Sequence, residues 1–215
     1  MVLAVPVETG AAECECDSLK PFAFFRPIPD WLRAERRGWQ GCPSIAVAPR
    51  TGRLWVAWMV SEKTEDESNA VLVATSEDGG RNWSEPLFAV DCPGPLRTLD
   101  PGLWTDPDGK VWLFWGQTYS FWDGRCGLWT SQAEDPDDPK TAWGAPRRLC
   151  DGYMKNKPTL LANGDWLFPV EFMPEDRPRE GEMKVLRDNV GPHAHPELGG
   201  GERVMSVYRS RDKGS

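Results

Sequence analysis

Ser76-Glu77-Asp78-Gly79-Gly80-Arg81-Asn82-Trp83 decides the fold of this chain. The pattern, Ser-x-Asp-x-Gly-x-x-Trp, describes a turn that closes on itself. Ser76 and Asp78 carry short side-chain oxygens that accept hydrogen bonds from nearby backbone N–H groups, the glycines tolerate positive φ, and Trp83 folds back as an apolar lid. A turn specified this fully joins two antiparallel strands, so Ser76, Asp78, Gly80 and Trp83 read as scaffold and not as chemistry. The pattern starts again at Ser210-Arg211-Asp212-Lys213-Gly214, and the sequence stops before its tryptophan position, as in a protein cut in mid-repeat.

Outward from that turn, a longer repeat emerges. Cys42-Pro43-Ser44-Ile45 runs to Leu54-Trp55-Val56-Ala57-Trp58, Asp100-Pro101-Gly102-Leu103 to Val111-Trp112-Leu113-Phe114-Trp115, and Lys157-Pro158-Thr159-Leu160 to Trp166-Leu167-Phe168, with the prolines 58 and 57 positions apart. Each unit is a short apolar strand, a glycine turn and an aromatic strand. Its second half repeats as well: the frame from Thr75-Ser76 to Trp83-Ser84-Glu85-Pro86 returns from Thr130-Ser131 to Trp143-Gly144-Ala145-Pro146, with extra residues in place of the self-closing turn. A period near that of propeller blades, without a 3.6-residue periodicity, predicts an all-β propeller of four-stranded antiparallel blades. The expected division is an extension over residues 1–38, then blades at about 39–95 and 96–152 and part of a third at 153–215. The extension is read as an edge strand of the closing blade plus a linker, with one short helix at residues 30–37. Two and a half blades leave the terminal faces uncovered, predicting an open edge or a longer natural protein.

Composition narrows the function. The 215 residues include 12 Trp, 21 Gly and 20 Pro and carry a net charge of −8, with no basic cluster and no long apolar run. Nucleic-acid and membrane partners are therefore not expected. The first ten residues lack a secretory pattern, so the chain as written reads as cytoplasmic. Cys14, Cys16, Cys42, Cys92, Cys126 and Cys150 show no metal-ligand spacing and read as free thiols. The sole histidines, His193 and His195, lie in a Pro-, Gly- and charge-rich insertion after Glu171 that would form a lid or stay disordered. No further ligand accompanies them, so neither a metal nor a cofactor is predicted.

The self-closing turn is the Asp-box, and with Gln40-Gly41-Cys42-Pro43-Ser44-Ile45, Arg97-Thr98-Leu99-Asp100-Pro101, Trp112-Leu113-Phe114-Trp115 and Asn156-Lys157-Pro158-Thr159-Leu160 it makes the chain resemble the sialidase superfamily, specifically bacterial BNR-repeat proteins. The resemblance covers residues 38–215. It implies a six-bladed propeller with a site at the mouth of the central funnel, of which this chain is about the first half. One departure stands out: where sialidases open their first inner strand with Arg-Ile-Pro, whose arginine binds the sialic acid carboxylate, this chain has Gly41-Cys42-Pro43. Glycine cannot make that bidentate pair, which puts true sialidase activity in doubt. Arg26 in Phe25-Arg26-Pro27 imitates the motif but lacks the strand and turn that should follow.

The repeat also sorts loops. If the first strand of each blade runs away from the funnel mouth, the second-to-third-strand loops and the blade-to-blade loops share that mouth, opposite the Asp-boxes. Candidate catalytic residues are Glu65 and Asp66, on the loop where sialidases carry their general acid, and Asp100 as base. Against this stands the reading of a solvated acidic loop, and for Arg97 and Asp100 that of a structural salt bridge. Candidate substrate-binding residues are Gln40, Arg97, Trp122, Asp123, Arg125, Asn156 and Lys157, with Trp122 placed to stack on a sugar ring. Tyr119, Tyr153 and Tyr208 match no nucleophile motif. The expected function is an exo-acting glycoside hydrolase with a carbohydrate substrate, acidic or otherwise decorated. Two rivals are a non-catalytic Asp-box platform that binds glycan or protein, and a polysaccharide lyase.

Overall fold

The computed structural model describes residues 18–66, 68–92, 96–119, 126–172 and 204–214. Among the described residues, twelve strands form three antiparallel sheets. Blade one orders β2 (Trp39–Val47), β3 (Leu54–Ser61), β4 (Ala70–Ser76) and β5 (Phe88–Asp91) outward, with β1 (Ala23–Phe25) added at its outer edge. Blade two orders β6 (Leu96–Thr105), β7 (Val111–Tyr119), β8 (Gly127–Gln132) and β9 (Arg147–Asp151). Blade three contains β10 (Thr159–Leu160), β11 (Trp166–Phe172) and β12 (Val204–Ser210). The architecture is the all-β, partial propeller expected from the repeat.

The period of two explains why these aromatic strands lie between sheets. In β7, Val111, Leu113 and Trp115 join the core shared with blade one, whereas Trp112 and Phe114 join the core shared with blade three. A strand buried on both faces needs apolar residues at every position, and Val111-Trp112-Leu113-Phe114-Trp115 supplies them. Blade one is less symmetric. Trp55, Ala57 and Met59 face blade two, while Val60 with Ala70, Leu72 and Ala89 is covered by Phe25, Ile28, Trp31 and Leu32 of the N-terminal segment.

That segment corrects two expectations. Its strand β1 pairs with β5, through Ala23↔Asp91 to Phe25↔Ala89, and so extends blade one instead of a closing blade. The anticipated helix is two single 3-10 turns, Asp30–Leu32 and Ala34–Arg36. Burying Leu32 against blade one requires a short irregular path that a regular helix would overrun. The open faces remain elsewhere: Ile45 and Val47 of β2 and Met205 and Val207 of β12 are exposed.

The Asp-box forms as its residues dictate. Gly80 N–H donates to Ser76 Oγ at 3.0 Å, Asn82 N–H to Asp78 Oδ1 at 2.9 Å, and Asn82 Nδ2 to Asp78 Oδ2 at 2.6 Å, while Gly79 and Gly80 take φ of 74° and 86°. Ser210 and Gly214 repeat the Ser76–Gly80 bond at 2.6 Å. Trp83 folds back over the turn, its ring 3.5 Å from where a Cβ on Gly80 would stand, while its outer face leaves it 43% exposed. Hydrogen bonds from Asn82, backbone first, hold the Asp78 carboxyl down at about 2. A carboxyl depressed on folding stabilises above its ordinary value of about 3.9, and that contribution is lost as pH falls through the folded value. Asp78→Ala is therefore expected to lower the melting temperature at pH 7, with the deficit against the parent shrinking toward pH 2. A deficit that is constant with pH would show that the carboxylate charge is irrelevant to the turn.

Blade two replaces its Asp-box with a clasp. Arg50 on the β2–β3 turn bonds Asp135 at 2.8 Å and Asp137 at 3.0 Å, Thr51 N–H donates to Asp137 at 2.7 Å, and Trp55 Nε1 donates to the Pro136 carbonyl at 2.8 Å. Blade three docks on blade two at the same place, with Lys213 Nζ 2.6 Å from Asp108.

Candidate functional site

The three repeat prolines each follow a residue that reaches one cleft. Cys42, Asp100 and Lys157, which precede Pro43, Pro101 and Pro158, line a cavity of about 430 Å3 between the inner strands, together with Ser44, Ile45, Gly102, Lys155 and Asn156. Cys42 and Asp100 adopt φ of 48° and 44°, a conformation rare for residues with a side chain, at matched bulges between Gly41 and Ser44 and between Leu99 and Gly102. Such a bulge re-aims side chains out of the pleat. The strain is held by packing, since Asp100 N–H contacts the buried Met59 Sδ at 3.1 Å.

Within the cleft, the Asp100 carboxylate meets Lys155 Nζ at 3.0 Å and is only 10% exposed. Burial pulls Lys155 down, but the Asp100 charge and hydrogen bond outweigh it, and the ammonium is held above its ordinary value. Burial pushes the Cys42 thiol up to about 11, with Asp100 adding its charge and a hydrogen bond and Glu65 a further charge. Cys42 is thus a neutral donor to Asp100 instead of a thiolate nucleophile. Lys157 Nζ donates to the Ile45 carbonyl across the inner strands.

Beside the cleft, Arg97 is fully buried and its Nη2 lies 2.7 Å from Glu65 Oε1, whose side chain is 46% exposed. Thr98 N–H donates to the Asn69 carbonyl at 3.0 Å, fastening the β3–β4 loop to the start of β6. Asp66 is consumed by that loop: its Oδ1 accepts the Ser68 N–H at 2.9 Å and the Ser68 hydroxyl at 2.5 Å. Gln40 Oε1 accepts Trp58 Nε1 at 2.9 Å on blade one. Gln117 turns inward, its Nε2 donating to the Ser18 and Lys20 carbonyls at 2.8 Å and 2.6 Å, so it anchors the N-terminal segment. Trp122, Asp123, Arg125, His193, His195, Cys14 and Cys16 lie outside the described residues.

At the place of the absent arginine, the Trp39 ring lies against Gly41. A Cβ at Gly41 would stand 2.9 Å from the Trp39 ring, so a side chain there would require the half-buried indole to move. Arg26 is no substitute, because its guanidinium lies 4.7 Å from the Phe88 ring centre, on the outer strand of blade one. Sequence reasoning singled out neither Cys42 nor Lys155. Lys155 fell inside a loop range without a distinguishing motif, while Cys42 was visible as the pre-proline partner of Asp100.

Among the described residues, Cys42, Cys92, Cys126 and Cys150 are free thiols, and no group of three or more His, Cys, Asp or Glu side chains is gathered as metal ligands. No described helix is long and apolar enough to cross a membrane.

Comparison with known proteins adds to this geometry. A Hadza microbial sialidase, Hz136, superposes with a TM-score of 0.50 at 18% identity, covering 64% of this chain and 33% of that one. A protein of unknown function from Dyadobacter fermentans DSM 18053 superposes with a TM-score of 0.57 at 16% identity, covering 85% of this chain and 54% of that one. At such identities the likeness is one of fold, and the chain spans between a third and about half of those proteins. No curated protein sequence matches. The BNR repeat-like domain matches residues 52–191, more than half of the sequence, and the match takes in β3 of blade one and the whole β6–β7 hairpin of blade two. The chain belongs to the BNR repeat-like domain family.

Proposed function

We propose that this chain builds the sugar-binding cleft of a carbohydrate-active propeller, a glycoside hydrolase, with Asp100 and Glu65 as its working carboxyls. The observation that carries the reading is the Asp100–Lys155 pair lining an open cleft where three blades meet. A half-buried ion pair costs desolvation that packing alone would not select. Asp100, paired with Lys155, suits the role of base or nucleophile. Glu65 has one oxygen on Arg97 and leaves Oε2 for a leaving-group proton, with Arg97 positioning it. Asp66 shapes the loop.

A binding platform is the second reading. It is favoured by the prior engagement of every described mouth carboxyl, Glu65 by Arg97, Asp66 by Ser68 and Asp100 by Lys155.

Turnover of a panel of aryl glycosides and oligosaccharides separates the two. Under the hydrolase reading, Glu65→Gln and Asp100→Asn each lower kcat by about 100- to 10,000-fold, and Asp66→Asn lowers it far less. A sugar that raises the melting temperature without being cleaved assigns the platform, and a product with a new carbon–carbon double bond assigns a lyase.

A further inference from the structure

We propose that Tyr153 is a positioning residue of the cleft: its buried ring holds the Lys155 ammonium against the Asp100 carboxylate and so fixes the aim of that carboxylate. The inference rests on the reading of Asp100 as a working carboxyl and adds the residue that aims it. Lys155 Nζ lies 3.0 Å from Asp100 Oδ2, but the lysine side chain is 54% exposed and rotates about several single bonds. A single contact would leave its head free to swing. The Tyr153 ring supplies a second, with Lys155 Nζ 5.2 Å from its centre, within the range at which an aromatic face attracts a cation.

The ring itself is held from all three blades. Tyr153 has no exposed surface and belongs to the core between blades one and two, with Met59 and Leu99. Its N–H donates to the Glu171 carbonyl at 3.0 Å and its carbonyl accepts the Glu171 N–H at 2.9 Å, which pins it to β11 of blade three. Gly116 of β7 makes room for it: a Cβ there would stand 3.0 Å from Tyr153 Cβ and 2.9 Å from Leu99 Cγ, and Leu99 directly precedes Asp100. Met59, in the same core, contacts the Asp100 N–H, so one packed unit carries both ends of the ammonium contact. Burial keeps the Tyr153 hydroxyl from attacking a sugar directly, and burial together with the facing Glu171 carboxylate raises it above its ordinary value. Glu171 also lends its charge to Lys155. Tyr153 thus acts through Lys155, and Lys155 through Asp100.

The test uses the whole chain, isotopically labelled at lysine for NMR, and the panel of aryl glycosides and oligosaccharides. An aromatic ring shields protons that lie over its face. The Lys155 Hε resonance, assigned by its loss in Lys155→Met, should therefore lie upfield of the other lysines, stay there in Tyr153→Phe and return to the ordinary position in Tyr153→Leu. On a glycoside the parent cleaves, Tyr153→Leu and Lys155→Met should each lower kcat about tenfold with KM within about twofold. Tyr153→Phe should keep nearly the parental kcat, and the double variant should lose no more than either single one, because both act on one contact. A tyrosine that only stabilises the fold would lower the melting temperature and add its loss to that of Lys155→Met. An ordinary Lys155 Hε position in the parent, or losses that multiply in the double variant, overturns the proposal and leaves the hydrolase reading standing. No turnover across the panel, with the shielded resonance present, overturns the hydrolase reading on which the proposal rests. Where Tyr153→Leu fails to fold, the parent resonance and the kcat of Lys155→Met decide: an ordinary position or a parental kcat overturns the proposal.

Discussion

Asp91→Asn is expected to remove a fall in stability between about pH 4 and pH 7 and to leave the variant more stable than the parent at pH 8. Asp91 ends β5, is 3% exposed, and has an Oδ2 without a hydrogen-bond partner among the described residues. Burial pushes its carboxyl up to about 7, against a weaker opposing bond from the Cys92 N–H. The unfolded chain releases this proton near an ordinary ~3.9, the folded chain only near 7, so between those values the folded state binds more protons and stability falls as pH rises. Carried through, the fall reaches about 4 kcal/mol. Above pH 7 both states are ionised and the loss is complete. Asparagine keeps the shape without the charge, at the cost of an amide that must find an acceptor. Chemical denaturation at pH 5 and pH 8 reads the effect as a parent difference that the variant lacks. If parent and variant fall alike, Asp91 is not the group that titrates.

Trp55→Ala should destabilise the chain by about 3–5 kcal/mol, or about 10 °C in melting temperature, whereas Trp83→Ala should cost roughly 1 kcal/mol. Trp55 is fully buried, donates to the Pro136 carbonyl at 2.8 Å, and meets the Trp143 ring edge-on at 5.5 Å. Its loss leaves a cavity and an orphaned acceptor where blade one joins blade two. Trp83 belongs to the more recognisable motif, yet its ring is nearly half in water. Thermal melts of the two variants would reverse this assignment if Trp83→Ala proved the more damaging.

That contrast shows how far a motif reads. The Ser-x-Asp-x-Gly pattern specifies its own hydrogen bonds within five residues, so it was legible without any neighbour. Its tryptophan folds back over the same turn as expected, but how much of the ring stays in water depends on surfaces distant in sequence. The insertion in blade two shows the same divide: the extra residues were visible against the repeat, but their bonds from Asp135 and Asp137 to Arg50 span more than 80 positions. The N-terminal segment was assigned to the wrong blade for that reason, since strand pairing at an edge leaves little trace in composition.

The sequence by itself determined the all-β blade repeat, because alternation of buried positions and turn chemistry are local and recur with the prolines at 43, 101 and 158. The same register put Asp100 and Lys157 among the candidate residues. Only the tertiary structure decided that they share a cleft with Lys155 and Cys42, that Glu65 is bound to Arg97, and that the Trp39 ring lies against Gly41. Those facts arise where separate blades approach within hydrogen-bonding distance, and a one-dimensional period fixes which residues are equivalent but not the distance between them.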